Sequence, residues 1–135
     1  MSAWVLIGVV LASSGAEAQL PTRLYRIAVL SNAFVPGIPP IKGLRDGIKA
    51  EGLEEGRDVR FDVRSTGSEE KTTATLAAAL ARENPHVIVA IGENETRAAK
   101  AAAPQIPVVF MQIADPVAVG LATSVARPGG LVTGV

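Results

Sequence analysis

Three carboxylates follow short apolar runs and are the side chains with the most recognisable chemistry. Glu93 and Glu95 come just after the run that ends at Ile91, and Asp115 follows the run at residues 108–111. Together they would suit a ligand ammonium group or another cation. Glu93 and Glu95 are, as a pair, also typical of a solvated rim. Glu93 and Asp115 could do acid–base work, but no neighbouring residue indicates a bond for them to act on.

Neutral polar groups accompany these carboxylates. Gly92 and Asn94 lie where a helix is predicted to begin, and free backbone N–H groups there suit a ligand carboxylate. The alternative is an ordinary strand-to-helix turn with Asn94 as its N-cap. Asp115 precedes Pro116, so capping the next segment is an alternative to ligand binding. Ser31 and Asn32 could likewise bind a ligand or simply end a strand.

Motifs typical of enzymes are absent from the sequence. There is no G-x-G-x-x-G, P-loop, G-x-S-x-G or H-E-x-x-H pattern. One histidine and no cysteine leave no nucleophile–base pair and no zinc set. Thirteen basic and thirteen acidic residues give a net charge of zero, so charge provides no argument for nucleic acid as a partner. We expect no catalytic residue, metal or cofactor.

The elements that position these residues alternate along the chain. Apolar runs at 25–30, 59–63, 87–91 and 108–111 predict four strands, of which the second has a polar face typical of a sheet edge. Helical periodicity follows each of the first three strands. It begins after the prolines that end at Pro40, near Glu69, and at Asn94. The pattern predicts an α/β domain with a parallel sheet and helices on both faces.

The expected strand order is 2-1-3-4, with the switch point between the first and third strands. Ligands of open α/β sheets bind beyond the carboxyl ends of the strands at that point. Three loops are therefore predicted to form the site, at residues 31–37, 92–95 and 112–116. After the last of them the sequence predicts a short helix-like segment, a turn at 127–130 and another apolar run from Leu131.

The first residues have the composition of an export signal. An apolar run at residues 4–12 is followed by small residues and by Ala16-Glu17-Ala18, an A-x-A cleavage pattern. The run is too short for a bilayer, which needs about twenty residues. No Lys or Arg precedes it, and an apolar disordered leader is the alternative. We interpret 1–18 as a signal peptide and 19–24 as a linker, which predicts a periplasmic protein.

Three segments carry a family pattern over almost all of the chain after the leader. They are RIAVLS at 26–31, GLRDGIKAEGLEEGRDVRFDVR at 43–64, and the segment 84–135. The last is the most diagnostic, with P-x-V-F followed by D-P-V-x-x-G-L-x-x-S-x-A-R-P-G-G-x-V-T-G. In these segments the chain resembles the ABC-transporter substrate-binding family of type I periplasmic-binding fold, in the branch that includes tryptophan- and tyrosine-binding members.

The resemblance implies a Rossmann-like first lobe at 25–135, truncated before a second lobe. It also implies binding of a small organic solute, such as an amino acid, in an inter-lobe cleft, and delivery to an ABC permease in the membrane. The family's first-lobe contacts fall on the following residues: Ser31, Asn32, Gly92, Glu93, Asn94, Ala114 and Asp115. The sequence departs from the family at 93–95, where small hydroxyl and proline residues are usual.

Other functions stay open on the sequence alone. A periplasmic sensory module would use the same fold and hand its ligand to a receptor. A non-functional truncated product is another alternative. A small flavodoxin-like enzyme is the third, but a receiver-type version needs clustered acidic residues after the first strand. Ser31 and Asn32 stand there instead.

Overall fold

A computed structural model describes residues 23–33, 38–67, 69–124 and 130–134. The predicted signal peptide at 1–18 and most of the linker at 19–24 lie outside the described residues. Strands and helices alternate as the hydrophobic pattern predicts. In chain order they are β1 (Tyr25–Ser31), α1 (Pro39–Ala50), β2 (Val59–Ser65), α2 (Glu70–Arg82), β3 (Val87–Ile91), α3 (Glu93–Ala102), β4 (Val108–Met111) and β5 (Val132–Gly134).

One parallel sheet contains the five described strands, in the order β2-β1-β3-β4-β5. The predicted order of the first four strands is confirmed, and β2 lies at the edge as expected. The fifth strand pairs parallel with β4, with Val132 opposite Val108. The sequence indicated it only as an apolar run that begins at Leu131.

Alternate residues of β1 belong to two apolar layers, because side chains of a strand point to opposite faces of its sheet. Ile27 and Val29 pack in the layer that contains Ile41 of α1. Ala28 and Leu30 pack in the layer that contains residues of α2 and α3. The sheet is therefore covered by helices on both faces, and the predicted α/β class is confirmed.

The helices begin and end at residues suited to those positions. Pro39 and Pro40 occupy the first turn of α1, where a missing N–H costs no helical hydrogen bond. Gly52 follows the end of α1 with a φ of 83°, a left-handed conformation that glycine adopts readily. No helix in the described ranges is both long and apolar enough to cross a membrane.

The start of α3 differs from the sequence prediction. Its N-cap is Gly92, and Asn94 is the second residue of the helix, with no side-chain cap hydrogen bond. The prediction of Asn94 as N-cap is therefore wrong. The reason is the short connection: Gly92 alone separates β3 from α3, so the helix has already begun at Asn94.

Candidate functional site

The carboxyl ends of the strands meet along one edge of the sheet. The residues directly beyond β1, β2 and β3 are Asn32, Thr66 and Gly92. Backbone hydrogen bonds to the neighbouring strands hold two of them in place. The Thr66 N–H donates to the Ser31 carbonyl at 2.8 Å, and the Gly92 N–H donates to the Met111 carbonyl at 3.1 Å. Because α1 and α3 cover opposite faces, the connections after β1 and β3 diverge and create the predicted switch point.

Ser31 and Asn32 follow each other at the end of β1 but differ in exposure. Ser31 is fully buried, and its hydroxyl accepts a hydrogen bond from the Ala33 N–H at 3.1 Å. Asn32 is exposed, and its amide nitrogen lies 3.3 Å from the position that a Cβ would occupy on Gly92. The structure thus brings Asn32 and Gly92 together, whereas Ser31 is buried as the last residue of β1.

The residues from Gly92 to Asn94 connect β3 to α3. Gly92 has φ 113° and ψ 162°, a region that is essentially restricted to glycine. Glu93 is exposed and pairs with Arg97, with 2.9 Å between the guanidinium Nη2 and the carboxylate Oε1. Asn94 is also exposed and, with Arg97, lines a depression of about 240 Å³ between the first turns of α2 and α3.

Ala114 and Asp115 lie beyond β4 and are both exposed. The Asp115 carboxylate oxygen Oδ1 accepts hydrogen bonds from the N–H groups of Val117 and Ala118, at 3.2 and 2.9 Å. This is the capping arrangement that the sequence left as an alternative to ligand binding. Arg97 joins the same turn to α3, because its guanidinium donates to a backbone carbonyl there at 2.6 Å.

Glu95 differs from its neighbour Glu93, since only 2% of its surface is exposed. Its Oε1 accepts a hydrogen bond from the Thr66 hydroxyl at 2.8 Å. Its Oε2 fills the space beside Gly92 where a Cβ would lie. The carboxylate therefore stands among the residues that follow β1, β2 and β3. The predicted solvated rim fits Glu93, which is exposed, but is wrong for Glu95, which is buried.

A sequence signal for the position of Glu95 does exist. Glu95 is three residues after the N-cap Gly92, the spacing at which a glutamate folds back over the start of its helix. The sequence prediction misses it, because Asn94 as N-cap places Glu95 one residue after the cap instead.

The remaining polar and concave features lie away from this edge. His86 stands at the amino end of β3, where its Nδ1 accepts a hydrogen bond from the Arg26 N–H at 3.0 Å. A cavity of about 440 Å³ lies beside Lys100 and the start of β5, and none of the predicted site residues lines it. No group of acidic, histidine or cysteine side chains in the described part of the chain could hold a metal ion.

Comparison with protein families gives a match over most of the chain. A family model described as ABC transporter substrate binding protein matches residues 28–135. A tyrosine-binding protein of Clostridioides difficile (strain R20291) is 29% identical over 93 residues, which are 69% of this chain and 27% of that protein.

Two solved structures share the fold. A conserved domain protein of Vibrio cholerae superposes with a TM-score of 0.77 and 33% identity, over 83% of this chain and 38% of that one. An ABC domain of Streptococcus pneumonia in complex with L-Trp gives a TM-score of 0.75 and 28% identity, with the same two coverages. The chain thus spans 27% to 38% of the length of these relatives.

Proposed function

The chain belongs to the ABC transporter substrate-binding protein family, and we propose that it is the first lobe of a protein that binds a small organic solute. The observation that carries this proposal is the convergence of Asn32, Gly92 and Glu95 at the switch point between β1 and β3. Ligands of open parallel sheets bind at such points. The solute would lie against this edge, in a cleft that a second lobe completes.

An amino acid is the solute class that the relatives favour. One relative is named for tyrosine, and a solved structure of another holds L-Trp. The edge has groups of both kinds that an amino acid requires. The Asn32 amide offers N–H donors to a carboxylate, and the carboxylates of Glu93 and Glu95 offer acceptors to an ammonium group.

The proposed mechanism is capture by closure of two lobes, with no covalent step. A hinge motion would enclose the solute between the edge described here and the second lobe. The closed protein would then deliver the solute to an ABC permease for import. The apolar run at 4–12 and the A-x-A pattern at 16–18 support export to the periplasm, where such a protein meets its solute.

Isothermal titration calorimetry of the whole gene product with L-tyrosine and L-tryptophan tests the proposal. We expect saturable binding of one of them. Asn32→Ala should weaken it by about tenfold, the value of one hydrogen bond to a charged group. Gln105→Ala is the matched control, since it removes an exposed amide from the link between α3 and β4. Absence of binding, or equal affinities of the two variants, would contradict the proposal.

A further inference from the structure

We propose that Glu95 accepts the amino group of the solute, so that the start of α3 recognises a cationic nitrogen and not a carboxylate. The inference rests on the proposed function and deepens it, because it states which end of the solute meets this part of the lobe. It also defines the solute class as molecules that carry a primary ammonium group.

The first argument is that the Glu95 carboxylate is largely buried and that one of its two oxygens has a hydrogen-bond donor within the described part of the chain. A buried carboxylate requires hydrogen-bond donors or a cation to offset its lost hydration. The Thr66 hydroxyl donates to Oε1 at 2.8 Å. Among the residues that the structure describes, none donates a hydrogen bond to Oε2 and none forms an ion pair with Glu95. Oε2 is therefore an acceptor that a ligand N–H group can complete.

The second argument is the position of this carboxylate at the start of α3. A free helix N-terminus attracts anions, because its first N–H groups are unpaired and its dipole is positive there. In this chain the carboxylate of Glu95 already occupies that position, with Oε2 beside Gly92. A ligand carboxylate would meet a like charge, whereas a ligand ammonium would meet an opposite one.

The third argument is the route by which a solute reaches Oε2. Asn32 is exposed, and its amide nitrogen lies 3.3 Å from the Cβ position of Gly92 that Oε2 fills. The exposed Asn32 amide therefore borders the space that Oε2 fills. A solute that binds beside this amide comes within reach of Oε2. The absence of a side chain at Gly92 provides the space for Oε2, because a Cβ there would overlap this oxygen.

The test compares three kinds of probe on the unaltered gene product by calorimetry. They are the amino acids L-tyrosine and L-tryptophan, their des-amino acids 3-(4-hydroxyphenyl)propionate and indole-3-propionate, and the amines tyramine and tryptamine. We expect the des-amino acids to bind at least about tenfold more weakly than the amino acids. A des-amino acid that binds as tightly as its parent overturns the inference, whatever a variant does.

Glu95→Gln then tests the residue itself. Glutamine keeps the shape and an acceptor for Thr66 but removes the charge, so we expect a loss of about tenfold or more for amino acids and amines, and no change for des-amino acids. Glu51→Gln is the matched control, the same change on an exposed glutamate after α1. Equal affinities of the two variants for the amino acids overturn the inference alone. If the unaltered protein binds no probe, the proposed function fails and the inference fails with it.

Discussion

Replacing Gly92 by alanine tests whether the start of α3 is built as described. Two separate effects act at this residue. Its φ of 113° and ψ of 162° lie in a region where a side chain costs about 1–3 kcal/mol. A Cβ would also overlap Oε2 of Glu95 and would therefore displace a carboxylate that holds a hydrogen bond from Thr66. Such a charge-assisted hydrogen bond contributes about 1.5–3 kcal/mol.

The two effects together predict that Gly92→Ala lowers the free energy of unfolding by about 2.5–6 kcal/mol. Two other glycines separate the effects. Gly52 has a φ of 83° but open space around its Cβ position, so Gly52→Ala should cost about 1–2 kcal/mol from backbone strain alone. Gly47 lies inside α1 with neither obstacle, so Gly47→Ala should stabilise the protein by about 0.5–1 kcal/mol.

Urea unfolding of the whole gene product, followed by circular dichroism, measures this series. The expected order of stability is Gly47→Ala, then the unaltered protein, then Gly52→Ala, then Gly92→Ala. The double variant Gly92→Ala/Glu95→Ala should lose less than the two single changes combined, because the alanine no longer meets a carboxylate. If Gly92→Ala costs no more than Gly52→Ala, the Glu95 carboxylate does not lie against Gly92 and the reasoning fails.

Two further predictions concern carboxylates that cap turns. Asp115→Ala should cost about 0.5–2 kcal/mol, since Oδ1 accepts two backbone N–H groups, while Asp115→Asn should cost little; equal losses in thermal unfolding would contradict the capping role. Hydrogen bonds from the Arg57 guanidinium and then from the Glu54 N–H lower the pKa of Asp58 below its unfolded value. The stabilisation that the Asp58 carboxylate gives the folded state is therefore present at neutral pH and is lost as the pH falls through the lowered pKa of the folded state. The difference in urea midpoint between the unaltered protein and Asp58→Asn should shrink as the pH falls. A difference that does not change with pH would refute the lowered pKa of Asp58.

The order of elements could be predicted because it depends on periodicity and on breaks in the chain. Five apolar residues from Val87 to Ile91 can only be buried on both faces, which requires a central parallel strand. The alternation in β2 indicates one polar face, and β2 lies at the edge of the sheet. β5 is three residues long, and its pairing with β4 depends on a register that a short run does not specify.

The edge that carries the candidate site could be predicted, but the arrangement of side chains along it could not. The position of the edge follows from strand order, and strand order follows from the alternation of elements. The direction in which a side chain of a short loop points depends on one or two backbone dihedral angles. The conformation of Gly92 starts α3 two residues after β3, which exposes Glu93 and buries Glu95. Two acidic positions separated by one residue thereby acquire different roles that composition cannot distinguish.

Along this edge, backbone hydrogen bonds and side chains have different roles. Backbone hydrogen bonds fix Thr66 and Gly92 at the ends of their strands, and these bonds do not depend on side-chain identity. The side chains of Asn32 and Glu95 determine the chemistry of the edge, and Glu95 also accepts a hydrogen bond from Thr66. At residues 93–95 the chain carries carboxylates where small hydroxyl and proline residues are usual for the family it resembles. Because the sheet supplies the geometry independently, such a change alters the charge at this edge while the fold stays the same.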